Sequence, residues 1–188
     1  RWAKQRGEQR MKGHQSGIRP IRDVVEEAAK IGVQYLTLYV FSIENWSRPK
    51  DEVDALMILL ANSIDNEVES LHRNNVRLNV IGDILSLPSE VQKKLNDACL
   101  YTASNTGLTL TLALSYGARW EILEAVKKLT SDVLDKKLSI DSITEETFRQ
   151  YLTTKEIPDP ELLIRTSGEQ RISNFLLWQL AYTELYFT

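Results

Sequence analysis

Apolar and polar positions alternate along the chain with two periods. Residues 33–41 (VQYLTLYVF) are almost unbroken apolar, β-prone sequence, the pattern of a strand covered on both faces. Residues 76–81 (VRLNVI) and 108–114 (LTLTLAL) read as two more strands, 162–164 as a short fourth and 185–187 as a fifth. Between them, helical patterns cover residues 16–31, 51–74, 89–104, 120–134 and 144–152. Gly32 follows the first of these and Pro88 precedes the third, where helices stop and start. Strands alternating with helices imply βαβ units, so the expected fold is α/β, with a single central, mostly parallel sheet flanked by helices. No repeat, low-complexity tract or long linker divides the chain, and residues 1–188 are expected to form one domain.

In such sheets ligands bind beyond the carboxyl ends of the strands. The residues there are Ser42-Ile43-Glu44-Asn45-Trp46-Ser47-Arg48-Pro49, then Ser115-Tyr116-Gly117-Ala118-Arg119, then Arg165 through Asn174 (RTSGEQRISN). These three loops are rich in arginine, hydroxyl and amide groups and are expected to converge on one edge. Arg165, Arg171 and Ser173 form a compact anion-binding set, because guanidinium groups pair with phosphate oxygens through charge-assisted hydrogen bonds. Ser167-Gly168 would let the backbone approach a ligand closely. The plainer account is a solvated loop with structural salt bridges. Arg1, Lys4, Arg6, Arg10, Lys12 and His14 make a second cationic cluster leading into the first helix, whose amino end adds positive charge. A basic tail is the alternative there. Two anion sites suggest two phosphorylated substrates, or one long one.

Residues 55–61 (ALMILLA) are apolar around the whole circumference of the second helix. A core-facing stripe needs only one face, so part of this surface meets something besides the sheet. A buried helix or an oligomer contact would account for it; so would the wall of an apolar tunnel between sheet and helices.

Composition narrows the classes. The 188 residues carry a net charge of -3, which argues against a nucleic-acid partner and leaves anion binding to local arginines. Cys99 is the single cysteine, so no intrachain disulfide forms, and its helical setting suggests a buried, inert thiol. No apolar run approaches the ~20 residues of a membrane span and no signal peptide opens the chain, so the cytoplasm is the expected compartment. The Asn45-Trp46-Ser47 sequon carries no weight without such a signal. Nucleotide-triphosphate, dinucleotide and nucleophile-elbow motifs are missing. Two histidines and one cysteine do not suggest a transition-metal site.

Taken together the motifs resemble the cis-prenyltransferases, in particular the undecaprenyl diphosphate synthase branch. Arg1-Trp2-Ala3-Lys4, with Arg10, Gly13, His14 and Gly17 following, is similar to the end of that family's first conserved block. Tyr39 through Pro49 resembles the second block, and Asn105-Thr106-Gly107-Leu108-Thr109-Leu110 a third. Arg165 to Glu169, Arg171 to Leu176, Trp178-Gln179 and Glu184-Leu185 resemble the carboxy-terminal signature. The Asp-Asp-x-x-Asp motif of the all-helical trans-prenyltransferases is absent.

The resemblance implies condensation of isopentenyl diphosphate onto an allylic diphosphate, usually farnesyl diphosphate, giving a long cis-polyprenyl diphosphate such as undecaprenyl diphosphate. On the same ground Asn45, Ser42 and Arg1 are expected to be catalytic. Arg1, Arg10 and His14 would bind the allylic diphosphate, and Arg165, Arg171 and Ser173 the isopentenyl diphosphate. Trp2, Ile43, Glu44 and Ile172 would also touch substrate, while Trp46 and Arg48 would sit in a flexible loop that closes over it. The family assigns Asn45 a proton-accepting role, but a neutral amide is a poor base and fits better as an orienter. Glu184 would hold Mg²⁺, a hard ion suited to oxygen ligands, with an aspartate from an Asp-Gly-Asn-Gly run that the family carries just ahead of Arg1. Both ends of the chain look cut, since Arg1 is not a methionine and Thr188 stops inside the strand-like run 185–188. Ser115-Tyr116-Gly117-Ala118-Arg119 stands where Asn-Tyr-Gly-Gly-Arg is commoner. Val40 and Leu108 would lie on tunnel-lining strands. A homodimer with peripheral contact to the inner face of the membrane, for product release, completes what the resemblance implies. The alternatives are a catalytically silent subunit of a heteromeric prenyltransferase, or a generic phosphate-binding α/β domain.

Overall fold

A computed structural model of the chain describes residue 7 and residues 10–188, with side chains within 10–19 described at Gly17 alone. In chain order the elements are α1 (Arg10–Lys30), β1 (Tyr35–Ser42), α2 (Lys50–Arg73), β2 (Arg77–Ile81) and α3 (Ser89–Tyr101). They continue with β3 (Thr109–Tyr116), α4 (Ala118–Leu134), α5 (Glu145–Arg149), β4 (Leu162–Arg165) and β5 (Glu184–Phe187). Short 3₁₀ turns cover Ile43–Ser47, Ile84–Ser86 and Ile140–Ser142. The chain divides into two compact units, Arg1–Ser115 and Tyr116–Thr188.

In the first unit the strands lie in the order β1-β3-β2, with β2 and β3 parallel and Leu78 and Val80 opposite Leu110 and Leu112. β3 is central and the most buried strand. It is buried along both faces although threonine and serine alternate with its apolar residues, Thr111 and Ser115 included. α2 buries Val53, Met57, Ala61 and Ile64, a stripe at helical spacing. α3 buries Val91, Leu95 and Ala98 and packs on α2. Cys99 on α3 is half-buried, and burial pushes its thiol up to about 11, in keeping with an inert role.

The Asn105-Thr106-Gly107 segment closes this unit at the amino ends of β2 and β3. Asn75, in the left-handed region at φ 55°, accepts the Thr106 N–H on Oδ1 at 2.9 Å and the Gly107 N–H on its backbone oxygen at 3.0 Å. Asn105 Nδ2 donates to the Val76 carbonyl at 2.6 Å. A Cβ on Gly107 would stand 2.5 Å from the Asn75 carbonyl oxygen, so no other residue fits without moving backbone. The segment is thus a clasp that sets the register of two strands.

In the second unit β4 and β5 pair in parallel, with Arg165 opposite Phe187. α4 carries the buried carboxylate of Glu121, which is 2% exposed. Its oxygens accept from the Tyr116 hydroxyl at 2.6 Å, Gln179 Nε2 at 3.0 Å, the Thr153 N–H at 2.9 Å and the Thr153 hydroxyl. Such a group is tolerable inside only when fully hydrogen-bonded.

Parallel pairing and flanking helices make this the expected α/β architecture, and the differences are local. The strands pair as three and two in the two units. The first helix begins at Arg10, ahead of residue 16, and runs through Pro20. The helix expected over 144–152 is confined to Glu145–Arg149. Thr144 caps its start by accepting the Thr147 N–H, but Glu121 takes the Thr153 N–H. Before that, the N–H groups of Gln150, Tyr151 and Leu152 already turn to carbonyls three residues back, which tightens the chain out of the α-helical ladder.

Candidate active site

β1 delivers its last residues straight into the 3₁₀ turn Ile43–Ser47. The Ser42 N–H donates to Asn45 Oδ1 at 3.1 Å, which fixes the amide's orientation and leaves its NH₂ as the group on offer. An amide held this way presents a donor, as an orienter requires. Trp46 Nε1 donates to Ser115 Oγ at 2.8 Å, and its ring meets Phe41 edge-on at 5.1 Å. Ser86 also donates to Ser115 Oγ at 2.8 Å. Ser115 itself sits at φ 46° at the end of β3. Asn tolerates that backbone more readily than Ser. Arg48 pairs with Glu52 at 3.0 Å on the first turn of α2. The Tyr39 phenol is pushed up to about 12, chiefly by burial and then by the charge of Glu44, while a hydrogen bond with Ser42 opposes both.

Behind this turn lies a cavity of about 820 Å³ walled by α1, α2 and the sheet. That is near the top of the usual ligand-pocket range of roughly 300–1,000 Å³. Tyr39, Val40 and Phe41 line it beside the turn, Leu110 and Leu112 line it along β3, and Leu71, Asn74 and Val76 line it at the amino edge of the sheet. Leu56, Leu59 and Leu60 of α2 also face it. The apolar girth of this helix is therefore divided between core and cavity, with Ile58 left exposed at 63%. Val40 lines the cavity as expected. Leu108 does not: β3 begins at Thr109, and Leu108 is packed in the core ahead of it. Arg22 on α1 and Glu67 on α2 also line the cavity and pair side-on, Nε and Nη2 donating to the two carboxylate oxygens, with Nε to Oε2 at 3.0 Å.

In the second unit, Arg165 at the end of β4 donates from Nη1 to Ser173 Oγ at 2.7 Å and to the Arg171 carbonyl. The predicted triad is thus one hydrogen-bonded group. Arg171 pairs with Glu169 at 2.7 Å while its side chain remains 67% exposed. The loop is held by unusual backbone: Ser167 at φ 73°, Gly168 at 67°, Ser173 at 50° and Asn174 at 61°. The Gly168 N–H donates to the Thr188 carbonyl at 3.0 Å, tying this loop to the end of β5.

Arg1 and Trp2, with Lys4 and Arg6, lie outside the described residues; Arg10 and His14 sit on α1, but their side chains lie outside them as well. Ile43, Glu44 and Ile172 are placed in the two loops, Glu44 exposed and the two isoleucines half-buried. Glu184 opens β5 and is exposed. Among the described residues no cluster of three or more His, Cys, Asp or Glu could hold a metal ion alone. A single exposed carboxylate does suit Mg²⁺, which is bound by one or two protein carboxylates together with substrate phosphates. Sequence reasoning gave no role to Tyr39, Ser115, Glu121 or Asn174. Tyr39 is one of several polar-tipped residues in its strand and nothing local marks it out; the others meet partners far away in sequence.

The family model described as putative undecaprenyl diphosphate synthase matches residues 1–188. The chain is 50% identical over 188 residues to the (2E,6E)-farnesyl-diphosphate-specific ditrans,polycis-undecaprenyl-diphosphate synthase of Pasteurella multocida, covering all of this chain and 78% of that protein. It is 53% identical to an isoprenyl transferase of Clostridium tetani, covering all of this chain and 74% of the relative. Among solved structures, lavandulyl diphosphate synthase from Lavandula x intermedia, in complex with dimethylallyl diphosphate, matches with a TM-score of 0.95 at 38% identity. That match covers all of this chain and 81% of the other. A probable undecaprenyl diphosphate synthase from Campylobacter jejuni matches with a TM-score of 0.80 at 38% identity, over 92% of this chain and 78% of that one.

Proposed function

Because the chain belongs to the undecaprenyl diphosphate synthase family of prenyltransferases, we propose that it extends farnesyl diphosphate by successive additions of isopentenyl diphosphate. The product is a long cis-polyprenyl diphosphate such as undecaprenyl diphosphate. The observation that carries this reading is the apolar cavity that starts at Tyr39–Phe41, next to Ser42 and Asn45, and runs back under α1 and α2. A prenyl chain has no polar handle, so a long apolar channel is what it needs from the fold.

Arg1, Arg10 and His14 hold the allylic diphosphate. Its carbon–oxygen bond breaks and the electron pair leaves with the diphosphate. Glu184 would hold Mg²⁺, which when bound would supply positive charge against that developing negative charge. Arg165, Arg171 and Ser173 hold isopentenyl diphosphate, whose alkene electrons form the new carbon–carbon bond. A proton then leaves the adjacent carbon and sets the new double bond. Ser42 and the Asn45 NH₂ orient the reacting groups, and Ile43, Glu44, Trp46, Arg48, Trp2 and Ile172 complete the contacts. The whole chain acts as one catalytic domain. It works as a cytoplasmic homodimer that touches the inner face of the membrane to release product; among its described residues no helix is long and apolar enough to cross one.

The test is Arg171→Ala in the full-length protein. Losing a charge-assisted contact should raise the KM for isopentenyl diphosphate about 10- to 150-fold and leave that for farnesyl diphosphate unchanged. Unchanged kinetics for both substrates would sink the assignment.

A further inference from the structure

Helix α4 begins at Ala118, and its N-cap is Gly117, a residue with no side chain to offer the first N–H groups. Those orphan donors need acceptors from elsewhere. Both acceptors come from Asn174. Its carbonyl accepts the Ala118 N–H at 2.8 Å, and its side-chain Oδ1 accepts the Arg119 N–H at 3.0 Å. The helix is capped by a residue 55 positions away.

That residue directly follows Ser173, and both stand in the left-handed region. Ser173 Oγ is bound to Arg165, which also holds the Arg171 carbonyl. The same first turn of α4 grips the chain a second time, through Glu121 and Gln179 Nε2 at 3.0 Å. Segment 174–179 is therefore fastened at both ends to a 17-residue helix that is itself fixed by Tyr116 and Thr153. Asn is the natural choice, since it combines tolerance of positive φ with a side-chain acceptor.

We infer that Asn174 is a positioning residue for the arginine–serine loop, holding Arg165, Arg171 and Ser173 at the spacing a diphosphate requires. This deepens the reading of that loop as the isopentenyl diphosphate site and rests on it. Asn174 acts through its neighbours, so its loss should weaken diphosphate capture without touching the allylic site in the other unit.

The experiment compares Asn174→Gly, Asn174→Asp and Arg171→Ala in the full-length protein, measuring KM for each substrate, kcat and melting temperature. Glycine keeps the backbone freedom and removes the acceptor. It should raise the KM for isopentenyl diphosphate about five- to tenfold, the scale of one lost hydrogen bond. The KM for farnesyl diphosphate should not move. Aspartate keeps Oδ1 at a helix amino end that favours negative charge, and should stay within about threefold of the parent. An Asn174→Gly protein with the parent's KM for isopentenyl diphosphate overturns the inference. So does an Asn174→Asp protein as impaired as the glycine variant, and so does an equal rise in both KM values that tracks the loss of melting temperature. If Arg171→Ala raises the KM while Asn174→Gly does not, only the positioning role falls; if Arg171→Ala changes nothing, the site reading falls with it.

Discussion

Tyr39 shows how one residue can be read from its surroundings. Its phenol is half-buried beside Glu44, and its ionisation is pushed up to about 12. Below pH 10 the phenol is protonated whether the chain is folded or not, and the folded state loses nothing. Between pH 10 and 12 the unfolded chain releases this proton while the native one keeps it, so stability drains away as pH rises through that window. Tyr39→Phe should flatten the decline in unfolding free energy between pH 9 and pH 11.5, measured by urea titration. Parallel declines in parent and variant would contradict the burial described. The residue scale also shows what local sequence conveys. Arg165, Arg171 and Ser173 were legible as a set because they are close in sequence and share an appetite for anions. Asn174, Glu121 and Gly107 were not, because each takes its meaning from a distant residue: Arg119, Thr153 or Gln179, and Asn75.

At the scale of elements, the strands and helices were legible wherever one period held over a whole segment. Boundaries moved where other hydrogen bonds replaced the α-helical ladder, as after Arg149, where three N–H groups turn to carbonyls three residues back. The double use of α2 was only half legible. Its apolar girth showed that two surfaces were being served; which residues face the cavity depends on how the helix is rolled on the sheet. β3 offers a graded test of that cavity. Leu112 and Leu110 both line it, and Leu112 lies nearer the turn that carries Asn45 by two residues, about 6.6 Å. Leu112→Trp and Leu110→Trp should both shorten the products, Leu112→Trp more severely, with the first condensation kept at its normal rate. Reversed-phase chromatography of the products reads the lengths. A melting point lowered by about 1–3 kcal/mol equivalent, with an unaltered length profile, is what overfilling a packed core would give, and would place the wall elsewhere.

On the scale of the whole molecule, the first unit is a fold that walls a large cavity. About 820 Å³ stands between α1, α2 and the sheet, lined mostly by apolar side chains, with Arg22 and Glu67 among the polar ones. That arrangement makes the protein its own calorimetric ruler. Apolar surface leaving water lowers the heat capacity, roughly 0.45 cal/K/mol for each Å². Each five-carbon unit entering the cavity covers its own surface and the wall beside it. Binding of allylic diphosphates of ten, fifteen and twenty carbons, without isopentenyl diphosphate, should therefore give heat-capacity changes that grow by near-equal negative steps. The steps should stop at the length that fills the space, so titration at several temperatures would read the capacity of the fold with no bond made or broken. A heat-capacity change indifferent to chain length would mean that the hydrocarbon stays outside.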